Sequence, residues 1–301
     1  MMHQMNRRQA LALTAAGFAG CATFRNPNSG YIDAHSHIWT PDTGQFPLRE
    51  GVSVDDLAPP SFTAEQLIQL GHSEGVTRHV IISHRRYHGF DNRYYTHAVA
   101  AHPGVFAVVG ALDRAQGRIA ERLRANRALG ITGYRIKPEG NPRWLEVDTM
   151  KTLWRAGADH HVAMCPLISP DFIPTLAPMC QQFPDTPVVI DHCARVDLGQ
   201  DKQLQQLCAL ARHPKVHVKI SAFYAFGAKK PPYDEQSPKI KALYEAFGPQ
   251  RLMWASDCPY QLNDGNTYTA SIAFVRDRLD FLTAEDKHWI LRRTAEQVFF
   301  R

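Results

Sequence analysis

Tyr31-Ile32-Asp33-Ala34-His35-Ser36-His37-Ile38-Trp39 is a short, apolar-started run carrying two histidines two positions apart. Strand side chains alternate, so His35 and His37 point to the same side and their imidazoles converge on one metal ion or one substrate group. A lone histidine in an apolar run is ordinarily a satisfied core residue. Whether this pair is a site depends on what the rest of the chain brings to it.

Outward from this run, apolar stretches alternate with helix-like segments eight times from residue 30 onward. The strand-like runs fall at 31–35, 79–83, 105–111, 131–136, 162–166, 188–192, 216–220 and 252–257, with Gly, Pro and Asp between them. Thr63-Ala64-Glu65-Gln66 matches a capping box and opens a helix that ends near Gly71. Further helices are expected over 91–102, around Ile119, Leu123 and Leu129, over 149–158, in broken form over 171–183, and over 204–212 and 240–247. The strand runs are continuously apolar rather than strictly alternating, which suits strands buried on both faces. This content predicts one α/β domain over 30–301, a (β/α)8 TIM barrel with its site at the C-terminal ends of the strands. An open doubly wound sheet is the alternative, but no Gly-x-Gly-x-x-Gly fingerprint follows any strand.

Charge and composition narrow the function classes. The 301 residues carry a formal net charge of +5, and removing residues 1–20 would take away Arg7 and Arg8, leaving 32 basic against 29 acidic side chains. That balance is too mild for a nucleic-acid binder and leaves a small-molecule substrate as the expected partner. Asn6-Arg7-Arg8-Gln9, followed by a weakly apolar run over 10–20, predicts an export signal of the twin-arginine kind over residues 1–20 and a periplasmic location. Phe18-Ala19-Gly20-Cys21 is similar to a lipoprotein cleavage box, in which Cys21 would carry a lipid anchor facing the periplasm. The other cysteines, Cys165, Cys180, Cys193, Cys208 and Cys258, are odd in number and irregular in spacing, so free thiols are expected rather than a disulfide framework.

In a barrel, the polar residues that end the strands meet at one mouth. Here they are His35 and His37, Ser83 with His84, Arg135 with Lys137, His192, Lys219 with Ser221, and Asp257. Six of eight strands ending in ionisable or nucleophilic groups is not the pattern of a purely structural core. One motif competes. Gly71-His72-Ser73-Glu74-Gly75 matches the nucleophile elbow of serine hydrolases, but the elbow needs a strand before it and a helix after, and here the order is reversed.

Taken in order, Asp33-Ala34-His35-Ser36-His37-Ile38-Trp39, Gly89-Phe90-Asp91-Asn92-Arg93-Tyr94, Gly133-Tyr134-Arg135, Val189-Ile190-Asp191-His192, Val218-Lys219-Ile220-Ser221 and Ala255-Ser256-Asp257-Cys258-Pro259 resemble the amidohydrolase-related TIM-barrel hydrolases. The resemblance is to the branch of 2-pyrone-4,6-dicarboxylate lactonase and sugar-lactone hydrolases. It implies hydrolysis of a lactone or related cyclic ester, at a site made of His35, His37, His192 and Asp257. Asp257 would be the general base on the attacking water, and His192 with the first-strand pair would polarise the ester carbonyl. Arg135, with His84, Arg86 and Lys137, would hold a substrate carboxylate. In metal-dependent members a fifth-strand histidine completes a divalent-metal site with the first-strand pair and the eighth-strand aspartate. Here Met164 and Cys165 stand on that strand, as in the lactonase branch, which lacks that histidine and can work without a metal. Zinc or manganese on His35, His37 and Asp257 is therefore one option and a metal-free centre the other. The family's anion-binding arginine after the seventh strand is replaced by Phe223-Tyr224-Ala225-Phe226. The alternative activity on such a barrel is metal-dependent decarboxylation of an aromatic or unsaturated acid, and the non-enzyme alternative is an exported binding protein.

Overall fold

The computed structural model describes residues 29–301, so the export-signal segment 1–20 and Cys21 lie outside the described residues. Eight strands, β1 (Tyr31–Ser36), β2 (Val76–Ile82), β3 (Phe106–Gly110), β4 (Ile131–Ile136), β5 (Ala163–Pro166), β6 (Val188–Ile190), β7 (Val216–Ile220) and β8 (Leu252–Trp254), pair in chain order. Every pairing is parallel. The ring closes beyond the end of β8, where the Asp257 amide donates to the His35 carbonyl at 2.8 Å and the His37 amide to the Cys258 carbonyl at 2.7 Å. The predicted barrel is the observed fold.

Strand alternation builds two apolar layers. Val80, Ile82, Ala107, Val109, Ala163, Cys165, Val189, Met253 and Ala255 fill the barrel interior with Ile32 and Ala34, and Phe299 of the C-terminal helix Thr294–Phe299 joins this cluster. The opposite parity, including Ile81, Val108, Met164, Ile190, Val218 and Trp254, packs in one cluster with Leu67, Leu123, Leu153, Leu176, Leu207 and Leu243 of the surrounding helices. By the same alternation, Arg135 on β4 and Lys219 on β7 face inward, as does Asp191 just past β6.

β1 breaks the alternation, and the break makes the site. Asp33 pairs with His79 and Ser36 with Ile81, three steps on β1 against two on β2, so one extra residue is inserted. Without the bulge His35 would share the outward face of Asp33. With it, His35 and His37 both turn inward while Asp33 stays among Ser256, Tyr268 and His79.

Several expected boundaries move. β2 starts three residues earlier than 79, and β6 and β8 stop at Ile190 and Trp254, short of His192 and Asp257. Those two residues instead take left-handed backbone, φ 52° and 62°. The capping box is present, with Thr63 N–H bonded to Gln66 Oε1 at 2.6 Å and Gln66 N–H to Thr63 Oγ1 at 3.3 Å. The broken helix is a 3-10 turn, Pro170–Phe172, running into Ile173–Gln182. Gly71 to Ser73 close the helix Ala64–Ser73 ahead of β2, and the Ser73 hydroxyl donates to the Leu70 carbonyl at 2.7 Å, which is no nucleophile elbow. The 40–60 loop is a packing arm: Trp39 Nε1 donates to the Pro59 carbonyl at 2.7 Å, and the Arg49 amide to the Tyr87 carbonyl at 2.7 Å.

Candidate active site

The inward-turned histidines meet Asp257 across the seam between β1 and β8. Asp257 Oδ1 lies 3.4 Å from His35 Nε2 and 3.3 Å from His37 Nε2, and Asp257 Oδ2 lies 3.7 Å from His192 Nε2. His192 reaches the group because four successive residues after β6, His192 to Arg195, are left-handed, with φ between 50° and 59°. Such backbone costs roughly 1–2 kcal/mol per non-glycine residue, so the strain is concentrated where the site is built. The Ser221 hydroxyl, 2.9 Å from His192 Nδ1, holds the ring in place.

Hydrogen-bond partners fix which atoms accept. The Ile82 carbonyl can only accept, so His37 Nδ1, at 2.9 Å, carries a proton, and in the neutral ring the Nε2 lone pair faces Asp257. A guanidinium can only donate. Arg135 Nη2, 2.6 Å from His35 Nε2, therefore makes that nitrogen an acceptor, and His35 Nδ1–H donates to Asp191 Oδ1 at 3.2 Å, the same oxygen that holds the Lys219 ammonium, which stands 3.3 Å from Nδ1 and 3.0 Å from that oxygen. Asp257 Oδ1 is buried with no hydrogen-bond partner. Three acceptor atoms thus converge on one point.

Beneath this point lies a buried charge layer. Lys219 Nζ is 3.0 Å from Asp191 Oδ1 and Arg135 Nη2 is 3.3 Å from Asp191 Oδ2, with both the Lys219 and Asp191 side chains fully buried. Burial alone would push the Asp191 carboxyl up, but Lys219, His35 and Arg135 hold it well below the usual carboxylate range. Burial lowers His35 well below an ordinary imidazole despite the pull of Asp191, and burial likewise lowers His192, so both rings stay neutral near pH 7. Burial opposes ionisation of Asp257, while the Tyr224 hydroxyl, donating to Oδ2 at 2.7 Å, favours the carboxylate.

Of the expected substrate-binding residues, only Arg135 reaches the centre. His84 is buried in its wall, with its ring edge-on to His37 at 5.1 Å and its Nε2 2.5 Å from the Tyr260 hydroxyl. Arg86 and Lys137 line an adjoining cleft of about 760 Å³ with Arg49, Arg85, His88 and Phe90. Sequence reasoning missed Tyr224, whose hydroxyl donates to Asp257 Oδ2 at 2.7 Å from the place where a family arginine was expected. It also missed the part played by Asp191, which stood in a quoted motif without a role.

The donor set suits a divalent cation at three points. The ligand atoms of His35, His37 and Asp257 lie within 4.8 Å of one another, and the orphaned Asp257 oxygen is what such a cation would satisfy. The fourth side is poorer. Burial pushes the Cys165 thiol up to about 12, which keeps it protonated, and His35 Nε2 is already engaged by Arg135.

Comparison with known proteins agrees with this architecture. The chain is 27% identical to an L-fucono-1,5-lactonase of Burkholderia ambifaria over 76% of its own length and 80% of that protein. A probable 2-pyrone-4,6-dicarboxylic acid hydrolase from Acinetobacter baumannii, solved with citric acid bound, superposes with a TM-score of 0.76 at 22% identity, covering 91% of this chain and 100% of that one. An amidohydrolase from Burkholderia multivorans with bound zinc gives a TM-score of 0.74 at 20% identity over 90% and 99%. Decarboxylases of the same barrel are more distant, at 13% and 16% identity. The amidohydrolase family model matches residues 32–301, nearly the whole described chain, and the protein therefore belongs to the amidohydrolase family.

Proposed function

We propose that the protein hydrolyses a lactone of a sugar acid or other organic acid by attack of activated water. The observation that carries this reading is the convergence of Asp257 Oδ1, His35 Nε2 and His37 Nε2, all acceptors, on one point. His35 Nε2 already accepts from Arg135, so Asp257 Oδ1 and His37 Nε2 take the two hydrogens of one water molecule and leave its lone pair directed outward for attack. Asp257, ionised and braced by Tyr224 on its other oxygen, accepts the water proton as the carbon–oxygen bond forms. The partners of His35 and His37 give both rings the accepting role, so in this reading the polarising donor is Arg135, whose buried Nε–H is unpaired. That donor stabilises the oxyanion of the tetrahedral intermediate. When the intermediate collapses, the ring carbon–oxygen bond breaks, and the proton held by Asp257 passes to the leaving alkoxide directly or through His192. The product is the open hydroxy acid.

A zinc or manganese ion on His35, His37 and Asp257 would, when bound, lower the pKa of the attacking water. Lys137 and Arg86, in the basic cleft, suit a substrate carboxylate; the citrate bound by the Acinetobacter neighbour supports an acidic ligand. The Burkholderia relative named as an L-fucono-1,5-lactonase supports the sugar-acid choice. Export to the periplasm, with lipidation of Cys21 as the alternative to simple cleavage, rests on Arg7, Arg8 and the run that follows them.

The test is a panel of sugar-acid and aromatic-acid lactones, with and without chelator, read by acid release. Turnover of at least one lactone is expected. If no lactone is opened and an aromatic carboxylic acid loses carbon dioxide instead, the decarboxylase reading replaces this one.

A further inference from the structure

The position a metal would take on His35 already has an occupant. Arg135 Nη2 sits 2.6 Å from His35 Nε2, the atom that would be a metal ligand. This nitrogen has one lone pair, and it cannot serve a guanidinium proton and a cation together. Charge points the same way. Lys219 and Arg135 both pair with Asp191, and together they equal in number the two carboxylates Asp191 and Asp257, so a divalent ion entering beside an undisplaced Arg135 would give the site an excess of positive charge and face a like charge across His35. We infer that the Arg135 guanidinium is a built-in competitor for the metal position, and that a divalent cation binds His35, His37 and Asp257 only by displacing it.

The displaced guanidinium has a place to go. Its bond to Asp191 Oδ2 at 3.3 Å does not involve His35, and Asp191 keeps Lys219 at 3.0 Å and the Nδ1–H of His35 at 3.2 Å while Arg135 moves. Removing Arg135 therefore strips the competitor without leaving Asp191 unpaired. What remains is a neutral His35 whose Nδ1–H is still fixed by a carboxylate, the arrangement that orients imidazole ligands in metal sites. The affinity gained is the affinity now spent on breaking a charge-assisted hydrogen bond and on repulsion between two cations, roughly 10- to 100-fold.

This inference uses the same three acceptor atoms as the lactonase reading, but its readout is metal bound and not turnover, so either can fail alone. The experiment is calorimetric titration of zinc ion into chelator-stripped full-length protein at neutral pH. Wild type, Arg135→Met and the double variant Arg135→Met/His37→Ala are compared, with circular dichroism to verify the fold. One zinc per chain binding at least tenfold more tightly to Arg135→Met than to wild type, and lost in the double variant, is the expected result. Equal or weaker binding by Arg135→Met overturns the inference, as does tight binding that survives His37→Ala. Should Arg135→Met fail to fold, Arg135→Gln gives the same comparison, since it also removes the charge.

Discussion

Replacing Asp33 by asparagine tests how the seam beneath the site is held. Asp33 is fully buried, and its oxygens accept from the Ser256 amide at 2.9 Å, the Ser256 hydroxyl at 2.5 Å, the Tyr268 hydroxyl at 3.1 Å and the His35 amide at 3.1 Å. These bonds tie β1 to the end of β8, the two segments that carry His35, His37 and Asp257. Burial outweighs the hydrogen bonds of Ser256, His35 and Tyr268 and pushes the carboxyl up from 3.8 to about 6. The folded protein thus holds this proton more tightly than the unfolded chain. The resulting stabilisation is fully present below pH 3.8 and is lost as the pH rises through about 6. The displacement corresponds to about 3 kcal/mol, of which roughly 2.5 falls between pH 4 and pH 7. Asparagine does not titrate, so Asp33→Asn should gain on the wild type by that amount over the same interval, whatever its fixed cost. Urea unfolding followed by circular dichroism, run on both proteins at the two pH values, reads the gap directly. A gap that does not change, or that widens in favour of wild type at pH 7, would mean the carboxylate is not desolvated in the seam.

Two further substitutions probe the groups around Asp257 and Asp191. Tyr224→Phe removes the 2.7 Å bond to Asp257 Oδ2, and the loss of a hydrogen bond to a charged acceptor should lower kcat/KM about tenfold, measured by lactone hydrolysis. Lys219→Met takes the buried partner from Asp191, and breaking a buried ion pair from one side should cost about 3–5 kcal/mol in denaturant unfolding at neutral pH. A loss under 1 kcal/mol would show that Arg135 and His35 suffice to hold Asp191.

The barrel was legible because its strands are long apolar runs buried on both faces. Residues 131–136 and 216–220 match β4 and β7 to the residue. What was not legible lies where tertiary contacts override local preference. The runs through His192 and Asp257 look like uninterrupted strand, yet both residues leave it for left-handed backbone, with Ser221 holding one and Tyr224 the other. The bulge in β1 is equally invisible, because it exists only in the register against β2. Alternation correctly placed His35 and His37 on one side, but by itself it would have put Asp33 there too. The quartet His35, His37, His192 and Asp257 does come together, while Arg86 and Lys137 fall in the neighbouring cleft. The roles of Tyr224 and Asp191 depend on partners at least 28 residues away in the chain, which no local motif announces.

The proposed mechanism turns on Asp257 taking the proton of the attacking water. It is tested by measuring hydrolysis of the best lactone of the panel by wild type and by Asp257→Asn, with circular dichroism to show that the fold is kept. With Asp257 as the base, kcat should fall about 10²- to 10⁴-fold with KM little changed. A folded Asp257→Asn protein that turns over within tenfold of wild type would contradict it.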